Sequence, residues 1–361
     1  MTNRSTPVRV LVVDDSALMR QLLSDLLEAD PEITVVGTAA DPHIARERIK
    51  ALNPDVVTLD VEMPHMDGIT FLRKIMTLRP MPVVMISTLT QSGAETTLEA
   101  LEIGAVDFIA KPTGNFGDLS ELASELQRKV KAAADARVGI RRAPVQHQPR
   151  QQLRRSTGKI MFVGSSTGGV EALKALLTGL PADCPPTLIT QHMPPRFTTR
   201  FAERLNRECP MHVFEAANDQ IIEPGHVYIA PGSHHLEIAR AGTHYVCRLS
   251  DGPPVSGHRP SVDVLFRSAA RVCGKSAVGA ILTGMGKDGA SGLLELRQAG
   301  ATTLGQDEQS SLIYGMPRVA FERGAVMQQC SLERMADAML DACEGNGPHA
   351  GTRASADASA A

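Results

Sequence analysis

The chain has 361 residues, a formal net charge of −3, and hydrophobic and charged contents of 43% and 21%, the profile of a soluble globular protein with material for two cores. That balance gives no general attraction to nucleic acid or anionic membrane, and the absence of tryptophan at 3% aromatics withholds the stacking platforms of single-strand binders. The opening residues show no secretory signal, no apolar run could span a bilayer, and six scattered cysteines lack any C-x-x-C pair, so the expectation is a cytoplasmic protein with reduced thiols.

Strand and helix patterns alternate from residue 7. Strands are expected at Val8–Asp14, Ile33–Gly37, Asp55–Asp60, Pro82–Ser87 and Ala105–Ala110, with helices between them, Ser16 capping the first at Ala17–Ala29. Five β-α units imply a doubly wound parallel sheet, with chemistry gathered beyond the carboxyl ends of its strands. Asp14 and Asp15 close the first strand, Asp60 the third and Ser87 the fourth, while Lys111 follows the fifth. Each acid alone reads as a helix cap or turn residue. Together, three carboxylates on one rim repel unless a cation binds, and hard oxygen ligands suit Mg²⁺. A lysine and a hydroxyl opposite would hold phosphoryl oxygens, making Asp60 an acceptor that forms an aspartyl phosphate.

The run from Val-Asp-Asp-Ser through Leu-Asp-Val-Glu-Met-Pro-x-Met-Asp-Gly to Lys-Pro resembles the receiver domain of response regulators. The resemblance implies a flavodoxin-like five-stranded sheet over residues 7–130, phosphorylation of Asp60 by a partner histidine kinase, and Mg²⁺ held partly by Asp15. It places Phe108 at an aromatic switch position, although core packing explains a phenylalanine there equally well. Periodicity fades over residues 131–158, a Gln-, Pro- and Arg-rich stretch that reads as a flexible basic linker.

Alternation resumes at 159. Ile160–Val163 is a strand that stops at Gly-Ser-Ser-Thr-Gly-Gly, and a helical pattern follows, so Ser166 sits on a strand-to-helix turn beside unpaired N–H groups. It reads either as a nucleophile or, with Thr167, as a helix cap. Strands at Thr187–Gln191 and Ala277–Thr283 put His192 and Asp288 at their ends, so a Ser-His-Asp triad could meet on one rim of a second α/β domain with a largely parallel sheet. Short strands at 211–215, 226–230, 235–239 and 244–249 suggest an antiparallel insertion or edge. His226, His234, His235 and His244 invite a metal reading, but without a tight ligand motif they fit turn and surface roles. Gly284–Gly289 is formally G-x-G-x-x-G with Asp307 eighteen residues on, a dinucleotide fingerprint opposed by the carboxylate of Asp288 inside the turn.

The segments Gly-Ser-Ser-Thr-Gly-Gly, Gln-His-Met-Pro, Arg-Pro-Ser-Val-Asp-x-Leu-Phe, Leu-Thr-Gly-Met-Gly-x-Asp-Gly and Tyr-Gly-Met-Pro resemble the catalytic domain of the chemotaxis protein-glutamate methylesterases, the CheB family. The Ala-, Ser- and Gly-rich residues 344–361 read as a disordered tail, and the resemblance implies a catalytic domain over 159–343. It implies catalysis by Ser166, His192 and Asp288, oxyanion support from Thr167 and the Met285 backbone N–H, and a substrate cleft shaped by Arg196 and the 258–263 loop. The implied substrates are methyl-accepting chemoreceptors, demethylated at glutamate methyl esters and deamidated at glutamines. A monomer is expected, with Mg²⁺ in the receiver and no cofactor for ester hydrolysis. Two rival readings are a DNA-binding output domain, for which no basic recognition helix is evident, and a nucleotide-binding regulator using 284–289. The triad order disfavours a general lipase.

Overall fold

A computed structural model describes residues 6–63, 66–88, 90–111, 119–139 and 158–345. Most of the expected linker and tail lies outside the described residues.

The first sheet is built from β1 (Val8–Val13), β2 (Ile33–Ala39), β3 (Val56–Asp60), β4 (Val83–Ser87) and β5 (Asp107–Ala110). All pairings are parallel in the order β2-β1-β3-β4-β5. The helices α1 (Ala17–Glu28), α2 (Pro42–Leu52), α3 (Gly68–Leu78), α4 (Gln91–Ile103) and α5 (Leu119–Ala134) connect and flank its strands. The starts of α1, α2 and α3 are fixed by side chains that satisfy open backbone N–H groups. The Ser16 hydroxyl accepts from Met19 N, and the carboxylates of Asp41 and Asp67 accept from Ile44 N and Thr70 N. Strands β3 and β4 are buried throughout, as expected of a parallel sheet covered on both faces.

The second sheet takes β6 (Ile160–Ser165), β7 (Thr187–Gln191), β8 (His212–Glu215), β9 (His226–Ile229), β12 (Ala277–Ile281), β13 (Thr302–Gln306) and β14 (Gln328–Cys330). Its order is β14-β13-β12-β6-β7-β9-β8, again wholly parallel. The chain winds outward from β6 on one side, then returns to wind outward from β12 on the other. The reversal falls between β6 and β12, the kind of switch point at which a crevice opens. The expected antiparallel insertion is therefore half corrected. β8 and β9 extend the main sheet in parallel, and only β10 (His235–Ala241) and β11 (His244–Ser250) form an antiparallel hairpin, as a separate sheet. Short alternating runs carry no mark of strand direction, which α7 (Phe197–Glu208) and the loops set here. The remaining helices are α6 (Gly169–Thr178), α8 (Val262–Val272), α9 (Ala290–Gln298), α10 (Met316–Glu322) and α11 (Leu332–Cys343).

The two units pack closely. Phe108 on β5 stacks on Phe197 at the start of α7, with centroids 4.5 Å apart, and one apolar cluster runs from Leu72, Leu98 and Phe108 into Phe201, Leu205 and Leu173. Around it, Lys174 pairs with Glu102 at 2.8 Å and Arg137 with Glu308 at 2.7 Å, and Arg204 also engages Glu102. α5 continues to Ala134, past residue 130, and Arg137 just beyond it makes one of these contacts.

The turn after β6 depends on two glycines. Gly168 occupies the cap position of α6 with φ +78°, in the left-handed region, where a side chain is strained. Neither Ser166 nor Thr167 caps the helix, since the cap position has no side-chain bond. At Gly169 an added Cβ would fall 2.0 Å from Gln191 Oε1 and 2.9 Å from Ser165 Cβ. Gly169→Ala is expected to cost about 1–3 kcal/mol by overpacking and to lower the melting temperature of the full chain by several degrees, measured by calorimetry; an unchanged melting curve would contradict the tight packing of this turn.

Candidate active site and receiver site

The C-terminal ends of three adjacent strands, β12, β6 and β7, bring Asp288, Ser166 and His192 together. Ser166 follows β6, and its N–H donates to Thr283 O at 3.1 Å, tying the turn to the end of β12. His192 N donates to Ser165 O at 3.2 Å. Gln191 stitches the two strand ends together: its Oε1 accepts from Ser165 Oγ at 2.6 Å, and its Nε2 donates to Ser166 O at 3.0 Å and His192 O at 3.1 Å.

The imidazole of His192 lies between its two partners. Nδ1 is 3.2 Å from Ser166 Oγ, and Nε2 is 2.8 Å from Asp288 Oδ2. One tautomer serves both contacts: Nε2–H donates to the carboxylate and bare Nδ1 accepts the serine proton. All three side chains are withdrawn from solvent: Ser166 is 6% and Asp288 1% exposed, and the His192 side chain 7%.

Asp288 is a buried charge, and the start of α8 accommodates it. Ser261 Oγ donates to Oδ1 at 2.8 Å, Val262 N to Oδ2 at 2.7 Å and Asp263 N to Oδ1 at 3.2 Å. Desolvation would raise its pKa, but His192 and these donors outweigh that and hold it below the usual carboxylate value. Asp288 is thus occupied by the imidazole and a helix start. Asp307, the other acid of the formal fingerprint, accepts from Ser310 N and Oγ, so both acids are committed within the fold.

Thr167 is engaged from the other unit. Its hydroxyl donates to Asp107 Oδ2 on β5, while Asp107 Oδ1 accepts from Phe108 N at 2.8 Å and lies 3.2 Å from Lys129 Nζ. Burial would lower the Lys129 pKa, but Asp107 and Glu125 more than offset it and raise it. Met285 lies on the turn between β12 and α9. There the backbone of Gly284 packs so closely on Ser166 that an added Cβ would be 2.8 Å from the serine Cβ. A cleft of about 1820 Å³ opens over the site, lined by Ser166, His192, Met193 and His258 from one unit and Phe108 and Lys129 from the other. Arg196 is exposed at the cap position of α7 with φ +73°, next to the lining residue Pro195.

In the first sheet, Asp14, Asp15 and Asp60 bring carboxylate oxygens within 4.8 Å of one another. Lys111 Nζ lies 2.8 Å from Asp60 Oδ1 and 3.2 Å from Asp14 Oδ2. Among the buried side-chain oxygens, Asp14 Oδ2 and Asp60 Oδ2 have no hydrogen-bond partner; the lysine contact to the former is an ion pair without hydrogen-bond alignment. Desolvation, aided by the charge of Asp14, pushes the Asp60 carboxyl up to about 6 against the pull of Lys111. Orphaned acid oxygens beside an exposed Asp15 fit a hydrated divalent cation. The Ser87 hydroxyl is engaged by α4, accepting from Thr97 Oγ1 at 2.7 Å and 3.3 Å from Gly93 O.

The histidine cluster holds no metal-like grouping; among the described residues the acidic trio alone has that geometry. Instead, His235 Nδ1 accepts from Ser261 N at 3.1 Å and Nε2 contacts Pro253 O at 3.1 Å, bracing the loop that feeds Asp288. Gln191, Ser261, His235 and Asp107 were not singled out for these roles by the sequence pattern. Of them, Gln191 and Ser261 lie inside the quoted segments Gln-His-Met-Pro and Arg-Pro-Ser-Val-Asp, where their neighbours drew the attention.

Comparison with known proteins agrees with this architecture. The CheB methylesterase family model matches residues 161–339 and the response regulator receiver domain model residues 10–124. A protein-glutamate methylesterase/protein-glutamine glutaminase of Caulobacter vibrioides is 59% identical over 338 residues, covering 92% of this chain and 97% of the relative. One from Dechloromonas aromatica is 55% identical over 343 residues, covering 92% and 98%. The crystal structure of the Thermotoga maritima CheB methylesterase catalytic domain superposes with a TM-score of 0.50 at 33% identity, covering 51% of this chain and 98% of that one. The chain belongs to the receiver-linked CheB family of protein-glutamate methylesterase/protein-glutamine glutaminases.

Proposed function

We propose that this chain removes methyl groups from glutamate methyl esters of chemoreceptors, releasing methanol, and deamidates receptor glutamines to glutamate, under control of receiver phosphorylation. The observation that carries the catalytic reading is the His192 ring held between Ser166 Oγ and Asp288 Oδ2. Ser166 Oγ attacks the γ-carbonyl carbon while His192 Nδ1 takes its proton. Asp288 stabilises the imidazolium that forms, and the tetrahedral intermediate collapses as the proton passes to departing methoxide. Water then repeats the sequence on the glutamyl-enzyme and frees Ser166. With an amide substrate, ammonia leaves instead. Thr167 and the Met285 N–H are the groups we assign to the developing oxyanion; Arg196 is assigned to the approach for the receptor helix.

The receiver regulates this rim by occupying it. Asp107 holds the Thr167 hydroxyl, and the Phe108–Phe197 stack and the Glu102 ion pairs keep β5 and α4 against the catalytic unit. Asp60 is the residue we assign to phosphorylation by a chemotaxis histidine kinase. Asp14, Asp15 and Asp60 would hold Mg²⁺, which when bound would neutralise charge on the incoming phosphoryl group; Lys111 and Ser87 would contact its oxygens. Phosphorylation then shifts the balance toward an undocked form. The site of action assigned to the enzyme is the cytoplasmic part of the receptors, as a monomer. No helix among the described residues is long and apolar enough to cross a membrane.

Three outcomes are expected. Ser166→Ala should lower methanol release from methylated receptor membranes about a thousandfold or more while Asp60 still accepts phosphate from a small-molecule phosphodonor; retained esterase activity would sink the nucleophile assignment. Asp107→Ala removes a hydrogen bond to a charged group worth about 1.5–3 kcal/mol. Activity without phosphodonor should therefore rise by about tenfold and stimulation by phosphodonor should shrink; unchanged basal activity would argue against this contact as a restraint. The carboxyl of Asp60 takes up a proton as pH falls through about 6, and that proton competes with a cation. Mg²⁺ affinity measured by calorimetry should accordingly be higher at neutral pH and drop on acidification, and equal affinity on both sides would separate Asp60 from the metal site.

A further inference from the structure

His258 lines the cleft, and its ring lies face to face with the ring of His192. The centroids are 3.8 Å apart and the planes 14° from parallel. The loop around it delivers that ring in a fixed register. Val255 and His258 exchange backbone hydrogen bonds, N to O in both directions at 3.0 Å. Ser256 and Gly257 between them have φ +55° and +80°, the left-handed pair of a type I′ turn. Arg259 Nη1 donates to Asp251 O at 3.2 Å and Gly252 O at 3.3 Å, closing the base of the loop. Three residues after His258, Ser261 begins the group of donors to Asp288. One short segment therefore bears on both the histidine and the acid.

The hydrogen bonds of His192 fix its two nitrogens but do little against tilting of the ring about the line joining them. A flat surface against one face opposes that motion. We propose that His258 is a positioning residue for the reaction, a stacked wall that holds the His192 ring in the plane where Nδ1 meets Ser166 Oγ and Nε2 meets Asp288. The inference rests on the reading of Ser166 and His192 as nucleophile and base. A ring misaligned by about 1 Å can cost about a hundredfold in rate, so the wall bears on turnover and not on receptor binding. The wall must also be uncharged when His192 becomes imidazolium. Burial pushes the His258 pKa down, and His192, Arg128 and Lys129 push the same way against the smaller opposing pull of Asp288. A neutral aromatic face beside a cation is favourable, whereas a second cation would repel it.

The test compares His258→Ala and His258→Phe in the full chain, activated with a small-molecule phosphodonor. His258→Ala should lower kcat for methyl ester hydrolysis by about tenfold or more with KM nearly unchanged, and His258→Phe, which keeps a flat face without ring nitrogens, should recover kcat to within about threefold. The rate at which a fluorophosphonate labels Ser166 should follow the same order, because it reads the serine–histidine pair without the receptor. A full-activity Ala variant, a loss confined to KM, or a Phe variant as poor as Ala would each overturn the proposal. If the Ala variant fails to fold, the Phe variant decides alone: near-normal kcat supports the wall and a loss of about tenfold rejects it. Should the parent chain release no methanol, the esterase reading fails, while the labelling order still tests the role of His258.

Discussion

One buried carboxylate governs the catalytic unit. Asp288 is almost wholly withdrawn from water, and an ionised group in that position costs several kcal/mol unless its lone pairs are met. The imidazole of His192 meets one, and the first residues of α8 meet the rest. Each partner then has its own support. His235 accepts from the N–H of Ser261, and Gln191 ties the end of β7 to the turn that carries Ser166. The site is a chain of polar groups in which every buried member is another's partner. Such networks hold geometry well when complete and fail together when one member is lost.

The receiver presents a different electrostatic situation. There the acids are not fully met: two buried oxygens lack hydrogen-bond partners and Asp60 is raised to about 6. A site left short of positive charge is suited to recruit it, and a bound cation would satisfy what the fold leaves open. The side chains of Ser166, His192 and Asp288 are paired within the protein and those of the acid trio are not fully so, so one rim is complete as folded and the other is open to added positive charge. Strand β5 lies between them. Asp107 and Phe108 at its start face the catalytic unit, and Lys111 directly after its end reaches Asp60, a span of about 10 Å at a strand's rise per residue.

Much of this was legible in the sequence because strand ends are. Buried parallel strands read as apolar runs, and the polar residue that ends each run lies on the rim by geometry. Asp14, Asp60, Lys111, Ser166, His192 and Asp288 could therefore be placed at strand ends without knowledge of any contact. What escaped the sequence has a common cause. β8 and β9 looked like the hairpin strands because a short alternating run does not reveal its direction. Thr167 looked like a helix cap because the partner that takes its hydroxyl, Asp107, lies sixty residues away on the other unit. The stacking of His258 on His192 depends on a two-residue turn setting the register of a loop, and no periodicity announces it.

The strand order has a consequence in time as well as in space. Ser166 follows β6, but its partner Asp288 follows β12, which inserts beside β6 from more than a hundred residues downstream. On a chain emerging from its N-terminus, domains fold as units in order of synthesis. The five strands of the receiver are complete before Ser166 is made, and Ser166 waits for Asp288 until most of the protein exists. Until β12 is made, the ends of β6 and β7 that carry Ser166 and His192 therefore lack the carboxylate that completes the group, while the strands of the receiver are already present beside them.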